Sequence, residues 1–307
     1  MVFAVSGRAQ RAAVALALTL LVSAAGPGCG AGTRAGAGAA RPGPVAAAPL
    51  PLLVFDGSGH SSMGRLAVAA AAARAVYVGE EHSNPHHHAI QLRVLEEVYG
   101  RDHSLAIGLE MVQRPFQPAL DRWGRGELSE AALQEALEWE TRWGFDWSLY
   151  APIFRFAQAH RIPLVALNAR RELTKRIAKV GVDALNPAEK AEMPELVLDD
   201  ADHRAMVVEM MGGHHGTSDP ASFDKLYAAQ VTWDETMADS VARWLARADA
   251  PHRIVVLAGE GHVQHGLGIP KRAARRGIAP FVTVLPAARE EVTDLVQAGA
   301  ADYVVSW

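Results

Sequence analysis

Four short apolar runs alternate with helical patterns in this chain, and each run leads into polar residues able to do chemistry. Residues 75–79 lead to Glu80, Glu81 and His82; 104–109 lead to Glu110; 163–167 lead to Asn168 and Arg170; 253–258 lead to Glu260 and His262. Runs this short and this apolar fit strands buried on both faces. Their alternation with amphipathic stretches predicts an α/β fold, with a mostly parallel central sheet and flanking helices. In an open sheet of that kind, ligands bind in the crevice beyond the carboxyl ends of the strands. A core needs no polar cluster at so many of those ends, so the pattern predicts a site there.

The rest of the organisation follows from composition and periodicity. Residues 1–28 read as a signal peptide: Arg8 and Arg11 form a basic start, and an apolar stretch follows that is too short for a comfortable membrane span. The only cysteine, Cys29, follows Gly26-Pro27-Gly28, which predicts a lipobox and an acylated new N-terminus. Ordinary signal cleavage nearby, with Cys29 a spare thiol, is the alternative. Both readings export the chain, and a lone cysteine leaves stability to a conventional core. Residues 29–51, rich in Ala, Gly and Pro, read as a flexible tether.

Residues 52–307 then form the folded part, with helical insertions at 112–159 and 171–247 expected to make a helical lid or side lobe. In the second insertion Leu226, Trp233, Met237, Val241 and Trp244 recur near helical spacing, as do His203, Met206, Met210 and His214. Those histidines, with His215, are read as core and loop residues of the lid. Trp139, Trp143 and Trp147 recur at four-residue steps and are expected to pack one helix. Further strands are expected at 280–285 and 303–307, around a helix at 290–298. A formal charge of −4 with no basic stripe excludes nucleic acid as a natural partner.

The densest chemistry lies between Gly79 and Gln91. Asn84 suits a helix cap and Pro85 a first helical turn, so a helix is predicted from 85 to about 99. Gly79 is expected to let the chain turn sharply off its strand. Glu81 and His86 are expected to face solvent. Glu80, His82, Glu110 and His262 offer the nitrogen and oxygen donors of a divalent metal centre. The same four suit a hydrolytic site, with His82 as general base. No HExxH, GxSxG or phosphate-loop pattern supports a more specific assignment.

The ordered motifs also resemble a family. Gly79-Glu80-x-His82-x-Asn84-Pro85-x-His87-His88-x-x-Gln91 is similar to the signature of the ChaN-like haem-binding lipoproteins. Gly108-Leu109-Glu110-Met111, Trp147 with Tyr150-x-Pro152, Ala166-Leu167-Asn168, Ala229-Gln230-x-x-Trp233-Asp234-x-x-Met237-Ala238, and Gly259-x-Gly261-His262-Val263 before Gly268-Ile269-Pro270 follow in order. Glu260 departs from the pattern, where a small or amide residue is expected. The resemblance implies a haem-binding envelope lipoprotein of haem and iron uptake, held at the outer membrane through acylated Cys29 and facing the periplasm or cell surface. It implies haem between two protomers of a homodimer, with a tyrosine on the iron and a histidine near the propionates. Tyr227 and Tyr150 are the candidate tyrosines, His87 and His88 the neighbouring histidines, and the Met206–Met211 face, Met210 included, a candidate apolar wall. The wider group to which the family is related includes erythromycin esterases and metal-dependent peptidases, which keeps a metal-dependent hydrolase as the alternative.

Overall fold

The computed structural model describes residues 52–211 and 219–307. The signal peptide, Cys29, the tether and the pair His214–His215 lie outside the described residues.

The chain begins with an antiparallel hairpin, β1 (Leu53–Asp56) and β2 (Gly59–Ser61), then α1 (Met63–Ala72) and β3 (Ala75–Val78). Next come α2 (Pro85–Arg101) and β4 (Leu105–Gln113), followed by α3 (Gln117–Gly124), α4 (Glu130–Ala136), α5 (Trp139–Arg142) and α6 (Trp147–Ala159). β5 (Leu164–Asn168) leads into α7 (Arg171–Val180), α8 (Pro187–Ala191), α9 (Ala201–Met210) and α10 (Pro220–Leu245). The chain closes with β6 (Arg253–Leu257), α11 (Ile269–Arg275), β7 (Phe281–Ala287), α12 (Val292–Gln297) and β8 (Tyr303–Ser306).

The sheet order is β2-β1-β8-β7-β3-β6-β4-β5. From β8 to β5 every neighbouring pair is parallel, and only β1 joins antiparallel. The predicted α/β architecture is therefore the observed one. Alternation along each strand sends side chains to opposite faces. Val76, Val78, Ile107, Leu109, Val255 and Leu257 pack on one side against Leu66, Val94, Leu95 and Phe154 from α1, α2 and α6. Tyr77, Ala106, Ile254 and Val256 pack on the other against Met237 and Val241 of α10 and Ile269 of α11. Both faces being covered explains why these strands read as unbroken apolar runs.

The open edge at β5 is occupied by one side chain. Gln117 Nε2 donates to the Leu164 carbonyl at 2.8 Å, and Gln117 Oε1 accepts from the Ala166 amide at 2.7 Å. On the opposite face, Glu235 of α10 is fully buried and paired with Arg272, Arg275 and Arg276, which ties α11 to α10.

Several expectations need correction. Glu110 lies inside β4, not past its end: β4 runs on to Gln113 through a register shift against β5, and Asn168 Nδ2 donates to the Glu110 carbonyl at 3.0 Å. Residues 112–113 of the first expected insertion are accordingly strand. Trp139, Trp143 and Trp147 do not share a helix, because Gly144 at φ +85° breaks it; Trp139 still meets Trp147 edge to face at 4.8 Å between ring centres and lies tilted against Trp143 at 6.5 Å. Gly79 is needed for space, since a Cβ there would lie 2.5 Å from Leu285 Cδ2. His86, expected to face solvent, stacks on Trp307 with ring centres 4.8 Å apart.

Ile107 is fully buried at the centre of the first core layer. Ile107→Ala is expected to cost about 2–5 kcal/mol of unfolding free energy, read by urea denaturation with an unchanged m-value.

Candidate functional site: a paired acid–base centre at the strand ends

The turn after β3 is built by the histidines of α2. Asn84 caps α2 by accepting from the His86 amide at 3.1 Å, as its position predicted. His87 Nδ1 then accepts from the Glu81 amide at 2.8 Å. Both ring nitrogens of His88 face oxygens, the His82 carbonyl and Gln91 Oε1, each at 3.1 Å. Gln91 Nε2 donates to the Val78 carbonyl. These side chains are buried braces that fix where Glu80 and His82 point. The burial of His87 holds its ring well down, at about 4, so it is neutral at ordinary pH.

The four strand-end residues do converge. Glu80 Oε1 lies 2.6 Å from His82 Nδ1, and Glu110 Oε1 lies 3.3 Å from His262 Nε2. On its other nitrogen His262 meets Asp234 of α10 at 2.6 Å, with Gln230 Nε2 at 3.1 Å. Gly259 joins the two pairs. Its amide donates to Glu110 Oε2 at 2.5 Å, and a Cβ on it would come within 2.9 Å of His82 Cε1. A larger residue there would displace the His82 ring. Trp143 and Phe145 wall His82, with ring centres at 4.7 and 4.8 Å. The His82 side chain is 25 % exposed while that of Glu80 is 0 % exposed, so the histidine is the one member of that pair open to a ligand.

Electrostatics fixes the protonation pattern. Burial opposes the charge on His262, but Glu110 and Asp234 outweigh it and hold the imidazolium up to about 10. Burial likewise opposes Glu110, yet His262, then His82 and the Gly259 amide, keep its carboxyl down to about 2. Asp234 is held below its ordinary range against burial by His262 and His203. For His82, burial works against protonation but hydrogen bonding to Glu80 wins, so its value is raised. Glu260 sits beside this centre, and burial together with Glu81, Glu291 and Glu80 pushes it up to about 7.

The expected metal ligands are thus engaged with one another. Among the described residues no group of three or more His, Cys, Asp or Glu has the geometry to hold a metal ion. The arrangement fits proton transfer better than metal ligation. Asp234 and Gln230 stood out only within the family-like motif and carried no assigned role; their spacing of one helical turn places them on one face of α10. Beyond Asp234, His203 Nε2 lies 3.2 Å from Asp234 Oδ2, and His203 Nδ1 lies 3.1 Å from the Tyr227 hydroxyl.

The expected cofactor residues fall into two groups. Tyr150 and His88 lie beside Glu80, with His88 Nε2 3.8 Å from Glu80 Oε2, while His87 holds the Glu81 amide. The Tyr150 hydroxyl lies 3.4 Å from Glu80 Oε1 and 3.3 Å from the His82 carbonyl, and burial, with the Glu80 charge, drives its ionisation far upward. Tyr227 and Met210 lie apart from these, in an apolar cluster between α9 and α10 with Met206, Val207 and Phe223. The Tyr227 hydroxyl donates to the Asp200 carbonyl at 3.2 Å, and burial lifts its value to about 12. Both phenols are protonated and hydrogen-bonded in this fold.

The signs of these shifts give a pH prediction. The His262 value, about 10 against an ordinary 6.5, makes its stabilisation complete below pH 6.5 and lost as pH rises through about 10. The Glu110 value, about 2 against 4.5, makes its contribution complete above pH 4.5 and lost as pH falls toward 2. Urea unfolding across pH should therefore show an alkaline decline that flattens in His262→Gln. That variant should also lose about 3–5 kcal/mol at neutral pH, because two buried carboxylates lose their partner. An unchanged alkaline slope would remove His262 as its source.

Comparison with known proteins places this geometry. A family pattern described as haem-binding uptake, Tiki superfamily, ChaN matches residues 66–273. A solved structure entitled cofacial heme binding to ChaN of Campylobacter jejuni superposes with a TM-score of 0.66 at 19% identity, covering 83% of this chain and 96% of that one. The type III effector HopBA1 superposes at a TM-score of 0.45 and 15% identity, over 78% and 90% of the two chains. An erythromycin esterase, EreC, in its open conformation reaches 0.44 and 12%, over 73% and 72%. A search of curated proteins gave no match. The matched segment runs from α1 through the strand-end centre to α11, and on that span the protein belongs to the ChaN haem-binding uptake family.

Proposed function

We propose that this protein binds haem in the cell envelope and serves haem or iron uptake. The observation that carries the reading is the family match over residues 66–273. The face between α9 and α10 suits a porphyrin: Met210, Met211 and Phe223 lie part-exposed over the buried Met206 and Tyr227 ring. Arg204 lies over the Phe223 and Tyr227 rings at 4.7 and 5.1 Å with its guanidinium bonded to Asp224, so a propionate would have to share or replace that partner. Bound haem would supply an iron centre and two carboxylates. The Tyr227 hydroxyl, protonated and turned toward Asp200, would have to give up that hydrogen bond to meet iron. Export and acylation at Cys29, which rest on the N-terminal residues, and outer-membrane anchoring and a homodimer, which rest on the family resemblance, belong to this proposal.

Titration with ferric haem, followed in the Soret band, tests the reading. Saturable binding is expected, weakened about tenfold or more by Met210→Glu or Tyr227→Phe, since each tenfold corresponds to only about 1.4 kcal/mol. His82→Ala should leave it unchanged. A wild-type protein that gives no saturable Soret change would end the proposal.

One observation favours a second activity. The Glu80–His82 pair leaves His82 Nε2 outside its 2.6 Å contact and the ring partly open beside an aromatic wall. This is the geometry of a general base acting on water. Hydrolysis of chromogenic esters should fall about 10²–10⁴-fold in His82→Ala if the pair is catalytic. Equal rates in wild type and variant would leave the pair a structural one.

A further inference from the structure

A groove of about 230 Å³ lies where the second half of α10 passes the edge of β5. It shares no lining residue with the strand-end centre or with the methionine–aromatic face. Arg114, Gln117, Ser240, Arg243, Trp244 and Arg247 line it, and no carboxylate does. The volume is below the range of cofactor sites, yet several times the share of one water, about 30 Å³. Size and charge together suit a small anion.

The guanidiniums are built into the fold. Buried Ser240 accepts from Arg114 Nε at 2.7 Å and donates to the Leu167 carbonyl at 2.7 Å. Arg114 Nη2 also donates to the Thr236 carbonyl at 2.6 Å. Among the described residues, Asp239 is the one carboxylate paired with Arg114, at 2.7 Å, and it is shared with Arg243 at 2.8 Å. One turn earlier on α10, Glu235 answers Arg272, Arg275 and Arg276 together. Ion pairing alone would call for as many acids as bases, and here the acids are fewer. They are also recessed: the Asp239 and Glu235 side chains are 15 % and 0 % exposed, while that of Arg243 is 73 % exposed. The outward face of this strip is therefore cationic on a protein whose formal charge is −4. The negative end of the α10 dipole offsets only about half a charge.

The remaining wall is aromatic. Arg247 lies over the Trp244 ring at 4.3 Å, and its partner Asp249 is held at 3.0 Å in an exposed pair, worth little in water. Asp121, which also acts on Arg247, is bonded to Gln117 at 2.8 Å. The Trp244 indole nitrogen is buried with no hydrogen-bond partner among the described residues. Burial, and then the charges of Arg243 and Arg276, hold the Arg114 value below its ordinary range in spite of Asp239. An anion between these like charges would relieve their repulsion. A carboxylate offers two oxygens and one charge. A phosphoryl group offers three oxygens and up to two charges, which matches several arginine forks at once.

We propose that this groove binds a phosphoryl group, carried either by free phosphate or pyrophosphate or by a lipid headgroup. Arg114 and Arg243 hold it on the Asp239 side, and Arg247 holds it on the Trp244 side. The site is independent of haem.

The test uses the full chain and two soluble probes at fixed ionic strength: pyrophosphate, and glycerophosphoglycerol as a headgroup diester. Binding is read by calorimetry and by the indole N–H resonance of Trp244, identified by its loss in Trp244→Phe. Saturable binding is expected, and the tighter probe names the source. Arg243→Glu and Arg247→Glu should each weaken it about tenfold or more, a loss of about 1.4 kcal/mol. Arg65→Glu, the same change of charge at an exposed position of α1, should leave it unchanged. Both groove arginines are exposed, so their variants should keep the wild-type urea midpoint; if one fails to fold, the other decides. The proposal is overturned if neither probe saturates, if the groove variants bind as wild type does, or if Arg65→Glu weakens binding equally.

Discussion

The imidazolium of His262 is the interaction on which the surrounding arrangement depends. It stands between Glu110 of β4 and Asp234 of α10, and it neutralises two carboxylates that are otherwise buried. A buried charge without a partner is among the most destabilising features a core can contain. The position of α10 over the sheet, the register shift in β4 and the close approach of Gly259 to His82 are all consistent with holding that triplet. His82, tied to Glu80 and walled by aromatic rings, is placed at its outer side.

Two surfaces meet through this centre. On one side is the half-open His82 beneath Trp143 and Phe145. On the other is the methionine–aromatic face between α9 and α10. A chain of buried polar contacts runs from His262 through Asp234 and His203 to Tyr227. Groups so arranged feel each other's charge strongly in a low-dielectric interior. A change of charge on His262 would thus be felt by Asp234 and His203.

Much of this was legible in the residues. Unbroken apolar runs such as 254–258 told of strands covered on both faces, and the parallel sheet followed. Glu80, His82, Glu110 and His262 could be read as convergent because strand ends share one rim in such a sheet. Asp234 could not be read the same way: a carboxylate at helical spacing looks like any exposed one until the helix is known to lie over the rim. The opening hairpin of β1 and β2 was missed because three- and four-residue strands carry too little alternation to stand out. The tryptophan spacing misled, since periodicity cannot see the glycine that breaks the helix. Tyr227 and Tyr150 were singled out by type, and only the packing shows both hydroxyls already engaged.

Gln117 shows how a small device governs association. By bonding to a carbonyl and an amide of β5, it occupies two of the groups through which a strand from another molecule would attach to that side of the sheet. Growth by strand addition is hindered at that point, and the strand at the opposite edge, the three-residue β2, offers only a short template.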